Sequence, residues 1–181
     1  MSASSARILV AGVGNVLKGD DGFGVVLAQR LLLHPGLPTN VSVIETGIGG
    51  MSLVQEAMTG CAALLILDAF RRGGAPGDLY LLEPELTDFS GLDVHQRRDY
   101  FADTHCATPL RAINLLAGIL RFPATVNILG CEPADYDAFR IGLSAPVAAA
   151  IEPALQRVFA WVRDRGLALA GSEPSETGLA A

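Results

Sequence analysis

The stretch Arg7-Ile8-Leu9-Val10-Ala11-Gly12-Val13-Gly14-Asn15-Val16-Leu17-Lys18-Gly19-Asp20-Asp21-Gly22-Phe23-Gly24 decides the fold. Ile8 to Ala11 are continuously apolar, as a strand buried on both sheet faces must be. Gly12 to Gly22 then supply turn residues before an apolar pattern of helical spacing begins. The stretch reads as strand, loop and helix. In open α/β sheets ligands bind beyond the carboxyl ends of the strands, so this loop, with Asp20 and Asp21 at its far end, is the first candidate site. A dinucleotide-binding turn does not fit: after Gly12-x-Gly14 the third glycine of that fingerprint falls on Leu17, and two carboxylates would repel a pyrophosphate. A cation suits the loop better. The competing role for either acid is to cap the following helix, which Asp does commonly for about 1 kcal/mol.

Outward from this loop, Phe23, Val26, Leu27 and Leu31 keep helical spacing until His34-Pro35-Gly36 stops them. Asn40 to Glu45 is rich in β-branched residues and is expected to be a second strand, followed by a short helix from about Ser52 to Met58. Glu45 then stands at that strand's carboxyl end, on the same rim as the first loop. Ala62 to Leu67 is almost wholly aliphatic and must be a central strand, and it runs directly into Asp68. A carboxylate there costs several kcal/mol if desolvated and unpaired, so it needs a hydrogen-bond donor, a cation or water. Arg71 or Arg72 could serve as its partner.

Gly73 to Gly77 is too short a connection for a parallel crossover, so Asp78 to Leu82 is predicted to be a strand antiparallel to the third. Glu83 to Asp103 is irregular and acidic, a loop long enough to act as a lid or docking surface. Thr108-Pro109 signals a helix start, with Leu110, Ile113, Leu116 and Leu120 as its buried stripe, and places His105 just before or within its first turn. Thr125 to Gly130 is the last strand. Ser144 is expected to cap a final helix that Pro153 should kink. A single domain over residues 1–166 is expected, with 167–181 as a disordered tail.

The composition removes several classes of function. The net charge is −6, so no basic face is expected for nucleic acid, and no apolar run approaches the roughly 18 residues of a membrane span. With no secretory pattern at the N-terminus, a cytoplasmic protein is expected. Cys61, Cys106 and Cys131 form no Cys-x-x-Cys pair and fit neither a disulfide framework nor a structural zinc site. Cys61 and Cys131 read as core residues, and Cys106, beside His105, as a packed thiol outside any metal shell. Asp21, Asp68 and His105 fall at comparable places on one rim. Two carboxylates and an imidazole would suit a divalent ion such as Zn²⁺ or Ni²⁺ and leave positions open.

Gly12-Val13-Gly14-Asn15, Asp20-Asp21-Gly22-x-Gly24, the apolar run into Asp68-Ala69, His105, and Gly142-Leu143-Ser144 with Ile151-Glu152-Pro153-Ala154-Leu155 resemble, in order and spacing, the hydrogenase maturation endopeptidases. The resemblance spans roughly Arg7 to Arg163. It implies an α/β three-layer sandwich: a twisted, mostly parallel sheet of about five strands, one of them antiparallel, with helices on both faces. It also implies a peptidase that removes the C-terminal extension from the precursor of a nickel-containing hydrogenase large subunit after nickel insertion. Carried over by position, Asp21 and Asp68 match the family's metal-contacting acids and His105 its histidine. The nickel would be supplied by the substrate, and other divalent cations are expected to enter the same site in vitro. One departure stands out: where members often carry Asp-Gly-Gly-Thr after the second strand, this chain has Glu45-Thr46-Gly47-Ile48. The alternative reading is a non-catalytic module that binds nickel or the subunit on the same scaffold.

Overall fold

A computed structural model describes residues 6–48, 50–85, 91, 93, 95–96, 113–114, 123, 125–137 and 139–171. Strand β1 (Ile8–Val13) is followed by a 3₁₀ turn (Gly19–Gly22) that runs straight into helix α1 (Phe23–Leu32). Then come β2 (Val41–Gly47), α2 (Gly50–Met58), β3 (Ala63–Ala69), β4 (Leu79–Leu82), β5 (Thr125–Cys131) and the long helix α3 (Ala145–Gly171). The strands form one sheet in the order β2-β1-β3-β5-β4, parallel except for β4.

Alternation along β1 and β3 builds two cores, because successive strand residues face opposite sides of the sheet. Ile8, Val10, Leu65 and Leu67 pack with Phe23, Leu27 and Leu31 of α1 and with Val147, Ile151, Val158 and Trp161 of α3. Leu9, Ala11, Leu64 and Ile66 pack on the other face with Leu53, Val54 and Ala57 of α2 and with the helical residue Ile113. The three-layer architecture follows from β1 and β3 being apolar on both sides. Each fully buried Leu or Ile contributes about 1.5–3 kcal/mol relative to exposure.

The structure corrects some of the expectations. Strand β4 is antiparallel as predicted, but it pairs with β5 (Leu79 opposite Cys131, Leu82 opposite Ile128) and not with β3. Both edges of β3 are already taken, by β1 and by β5, so the short turn after β3 carries the chain past β5 to the sheet's outer edge. Helix α3 passes through Pro153 and runs to Gly171, beyond the boundary expected at Gly166. The Thr108-Pro109 helix start, His105, Cys106, most of the 83–103 loop and the segment 172–181 lie outside the described residues. No described helix is long and apolar enough to cross a membrane.

The first helix approaches the sheet through Gly24. A Cβ at that position would overlap the carbonyl oxygens of Leu67 and Val13, two backbone atoms that cannot rotate away. This close approach brings the Asp20-Asp21 turn onto the end of β3. Gly24→Ala is therefore expected to destabilise the protein by about 1–3 kcal/mol, measured by urea unfolding, where an Ala in an exposed helix would stabilise.

Candidate active site

The loop after β1 is wired by its own backbone. Gly14, at φ +130°, occupies a conformation L-residues rarely adopt, and the Asp21 carbonyl fills the space a Cβ would need. The Asn15 side chain accepts from Leu17 N (3.0 Å), Lys18 N donates to Asn15 O (2.9 Å), and Asp21 N donates to Lys18 O (3.2 Å). These bonds turn the chain into the 3₁₀ turn, whose geometry sends the two adjacent acids to different surroundings.

Asp20 is fully buried. Its Oδ1 accepts from Ser144 N (2.6 Å), and its Oδ2 accepts from Ser144 Oγ (2.8 Å), Ala134 N (2.9 Å) and Asp135 N (3.2 Å). Arg140 stands 3.8 Å from Oδ1. Burial pushes this carboxyl up, but the hydrogen bonds from Ser144, Asp135 and Ala134 outweigh it and hold Asp20 below the ordinary carboxylate range. Neither acid caps α1, whose N-cap position is Gly22 without a side-chain bond. Ser144, directly before the final helix as expected, accepts from Ala148 N through its carbonyl (2.8 Å) and gives its hydroxyl to Asp20.

Asp21 has one hydrogen-bond donor among the described residues, Asn15 N, at 2.9 Å from Oδ2. Burial pushes its carboxyl up against that bond and the nearby Lys18 charge, and the Asp137 charge adds to the rise. Asp68 sits near the end of β3, opposite Gly130 of β5, with one Oδ1 contact to the N–H of Ala69 (2.8 Å). Burial pushes it up to about 7, and the charge of Asp21 pushes in the same direction. The alternative pairing of Asp68 with Arg71 or Arg72 does not form: Arg71 lies 3.5 Å from Asp137 and over the Tyr136 ring, and Arg72 lies over Tyr80. Among the described residues no third His, Cys, Asp or Glu completes a metal-binding group with the two acids. The position of His105 lies outside them.

Two further acids frame this rim. Glu45, at the end of β2, accepts from Gln29 Nε2 (2.9 Å) and lines a groove of about 540 Å³ with Asn15, Val16, Leu17, Thr46 and Ile48. Glu132, nearly buried just after β5, is a residue the sequence reading missed. It accepts from Arg72 N (2.7 Å), Gly73 N (3.3 Å) and Tyr80 Oη (3.2 Å), and so fixes the loop that follows Asp68. The signal was present as an acid directly after a buried strand, the same pattern that singled out Asp68.

Asp21, in the turn after β1, and Asp68, near the end of β3, thus stand within electrostatic reach of each other, the charge of Asp21 adding to the rise of Asp68. The hydrogenase maturation protease (HycI) family profile matches residues 25–161. The chain belongs to this family. The Hydrogenase 2 maturation protease of Escherichia coli K12 is 32% identical over 165 residues, which cover 89% of this chain and 93% of that one. The hydrogenase expression/formation protein HupM of Azotobacter chroococcum mcd 1 is 32% identical over 171 residues, 92% of this chain and 77% of that one. Among solved structures, the hydrogenase maturating endopeptidase HybD from E. coli superimposes with a TM-score of 0.70 at 31% identity, covering 88% of this chain and 94% of that one. This maturation protease is accordingly a peptidase, and the non-catalytic reading gives way.

The adjacent acids Asp20 and Asp21 and the strand-end Asp68 predict opposite responses to neutralisation. Asp20→Asn places an amide against donors and is expected to destabilise by about 2–4 kcal/mol at pH 8. Asp68 has a folded-state value near 7 against 3.8 unfolded, so the folded protein holds the extra proton between those values and loses stability as pH rises through them. In chelator-treated protein Asp68→Asn is therefore expected to stabilise, by about 2 kcal/mol more at pH 8 than at pH 5. Urea denaturation of both variants at the two pH values checks the pair.

Proposed function

We propose that this maturation protease removes the C-terminal extension of the precursor of a nickel-containing hydrogenase large subunit, in the cytoplasm and after nickel has been inserted. In this reading Asp21, Asp68 and His105 contact the nickel that the precursor already holds, so the metal arrives as part of the substrate. The observation that carries it is the state of Asp68: a desolvated carboxyl, raised further by Asp21, with no cationic partner among the described residues. Such a group binds a divalent ion strongly, because the ion removes the electrostatic cost that burial and the neighbouring charge impose. Oxygen donors from two aspartates and a ring nitrogen match a borderline divalent ion and leave positions open for the precursor's own ligands.

The same carboxyl has a second capacity. Titrating near neutrality, Asp68 can take up or release a proton at working pH, as a general base for hydrolysis must. The neighbouring elements keep it in that state: Gly24 packs on the carbonyl of Leu67, and the loop beyond is held by Glu132.

The deciding experiment incubates the enzyme with nickel-loaded and nickel-free precursor and measures product mass. Only the loaded form is expected to shorten. Asp21→Asn keeps the side chain's shape but removes its charge and is expected to slow cleavage on the order of 100-fold. Equal cleavage of both precursors would refute nickel gating, and full activity of Asp21→Asn would remove that residue from the site.

A further inference from the structure

Asp68 of β3 and Tyr80 of β4 both pair with Gly130 of β5, so the three stand in one row across neighbouring strands. Residues in register project to the same face of a sheet. Here it is the face of Leu64, Ile66 and Val126, since Leu67, Leu129 and Leu79 alternate to the other side. The middle member of the row has no side chain, and a Cβ on Gly130 would overlap Cε1 and Cζ of Phe70. The Phe70 ring therefore occupies the place of the missing side chain. It reaches that place because Phe70 N donates to Cys131 O (3.1 Å), which turns the chain leaving β3 toward β5. Tyr80, stacked on Phe70 with ring centroids 6.2 Å apart, supports it from β4. Neighbouring strands lie about 4.8 Å apart, so a ring seated on Gly130 stands beside the Asp68 side chain.

We propose that Phe70 is a positioning residue for Asp68: its ring walls the β5 side of the carboxyl against water and leaves the carboxyl open on the side of Asp21. The proposal rests on the role given to Asp68 above. Three observations favour a wall over plain packing. Phe70 is half-buried yet, among the described residues, belongs to neither hydrophobic core. Gly130 lies within a strand, where a glycine is disfavoured by about 0.5–1 kcal/mol relative to Ala, and the ring above it supplies the reason for a glycine there. Asp68 accepts a single hydrogen bond among the described residues, from Ala69 N to Oδ1, so its other oxygen stays available to a reacting partner. Excluding water from one flank of a carboxylate strengthens the electrostatic interactions it makes on the other.

The test is steady-state cleavage of nickel-loaded precursor by wild type, Phe70→Ala, Phe70→Leu, Gly130→Ala and the double variant Phe70→Ala/Gly130→Ala, with thermal unfolding of each. Phe70→Ala is expected to lower kcat about tenfold with KM within about threefold, because the ring acts at the reacting group and not on docking of the precursor. Phe70→Leu keeps an apolar side chain over Gly130 and is expected to bring kcat back to within about threefold of wild type. Gly130→Ala pushes the ring aside while leaving Phe70 in place, and is expected to lower kcat to a similar degree. Both changes act through one ring, so the double variant is expected to lose no more than the worse single variant. Rates are compared among variants that remain folded at the assay temperature; if Phe70→Ala does not fold, Gly130→Ala decides. Wild-type kcat in the folded variants, losses that multiply in the double variant, or no recovery in Phe70→Leu overturns the proposal. Wild type that cleaves while these variants keep their kcat defeats this inference alone; wild type that cleaves no precursor defeats the function beneath it as well.

Discussion

The buried carboxylate of Asp20 is the interaction on which the active end of the molecule depends. One side chain accepts from the backbone of Ala134, Asp135 and Ser144 and from the Ser144 hydroxyl, and so joins the loop after β1 to the loop after β5 and to the start of α3. An ionised group in such a place survives only when its oxygens are saturated with donors, because the cost of desolvating it otherwise exceeds any gain. Here the saturation is sufficient to hold the group in its charged form in spite of burial. The charge also lies at the N-terminal end of a long helix, where unpaired N–H groups favour an anion.

Asp21, one residue further on, has the opposite fate. It shares the turn but keeps a single donor among the described residues; burial pushes both Asp21 and Asp68 up, with the charge of Asp137 adding to the first and that of Asp21 to the second. The stability this costs is the ordinary signature of a functional site, where groups are left unsatisfied until a ligand completes them. Asp20 makes the arrangement tolerable by anchoring the turn on its other side. Glu132 plays the parallel part after β3, gathering Arg72, Gly73 and Tyr80 so that the chain leaving Asp68 has one path.

The architecture explains why the site lies where it does. Strands β1, β3 and β5 are parallel neighbours, so their carboxyl ends open at one edge and the loops that follow them meet there. Gly14 and Gly24 allow the first of these loops to sit directly on the end of β3, a distance no side chain would permit. Sheet order, not sequence proximity, makes neighbours of residues more than a hundred positions apart.

Much of this was legible in the sequence. The apolar runs of β1 and β3, the turn signals at His34-Pro35-Gly36 and Gly73 to Gly77, and an acid ending each of several strands follow from local rules of burial and backbone conformation, so they determined the elements and the rim on which Asp21 and Asp68 stand. Tertiary structure alone decided what long-range contacts set. Two adjacent aspartates are equivalent in a sequence pattern, and only the 3₁₀ turn and the donors of residues 134, 135 and 144 make Asp20 a clamp while Asp21 turns to the Asn15 N–H. Ser144 stands at the N-cap position as its local pattern says, with its carbonyl accepting from Ala148 N, but only the fold brings the Asp20 carboxylate to its hydroxyl. Strand β4 had its direction written in a short turn, but its partner depended on β5, far along the chain, having already occupied the edge of β3.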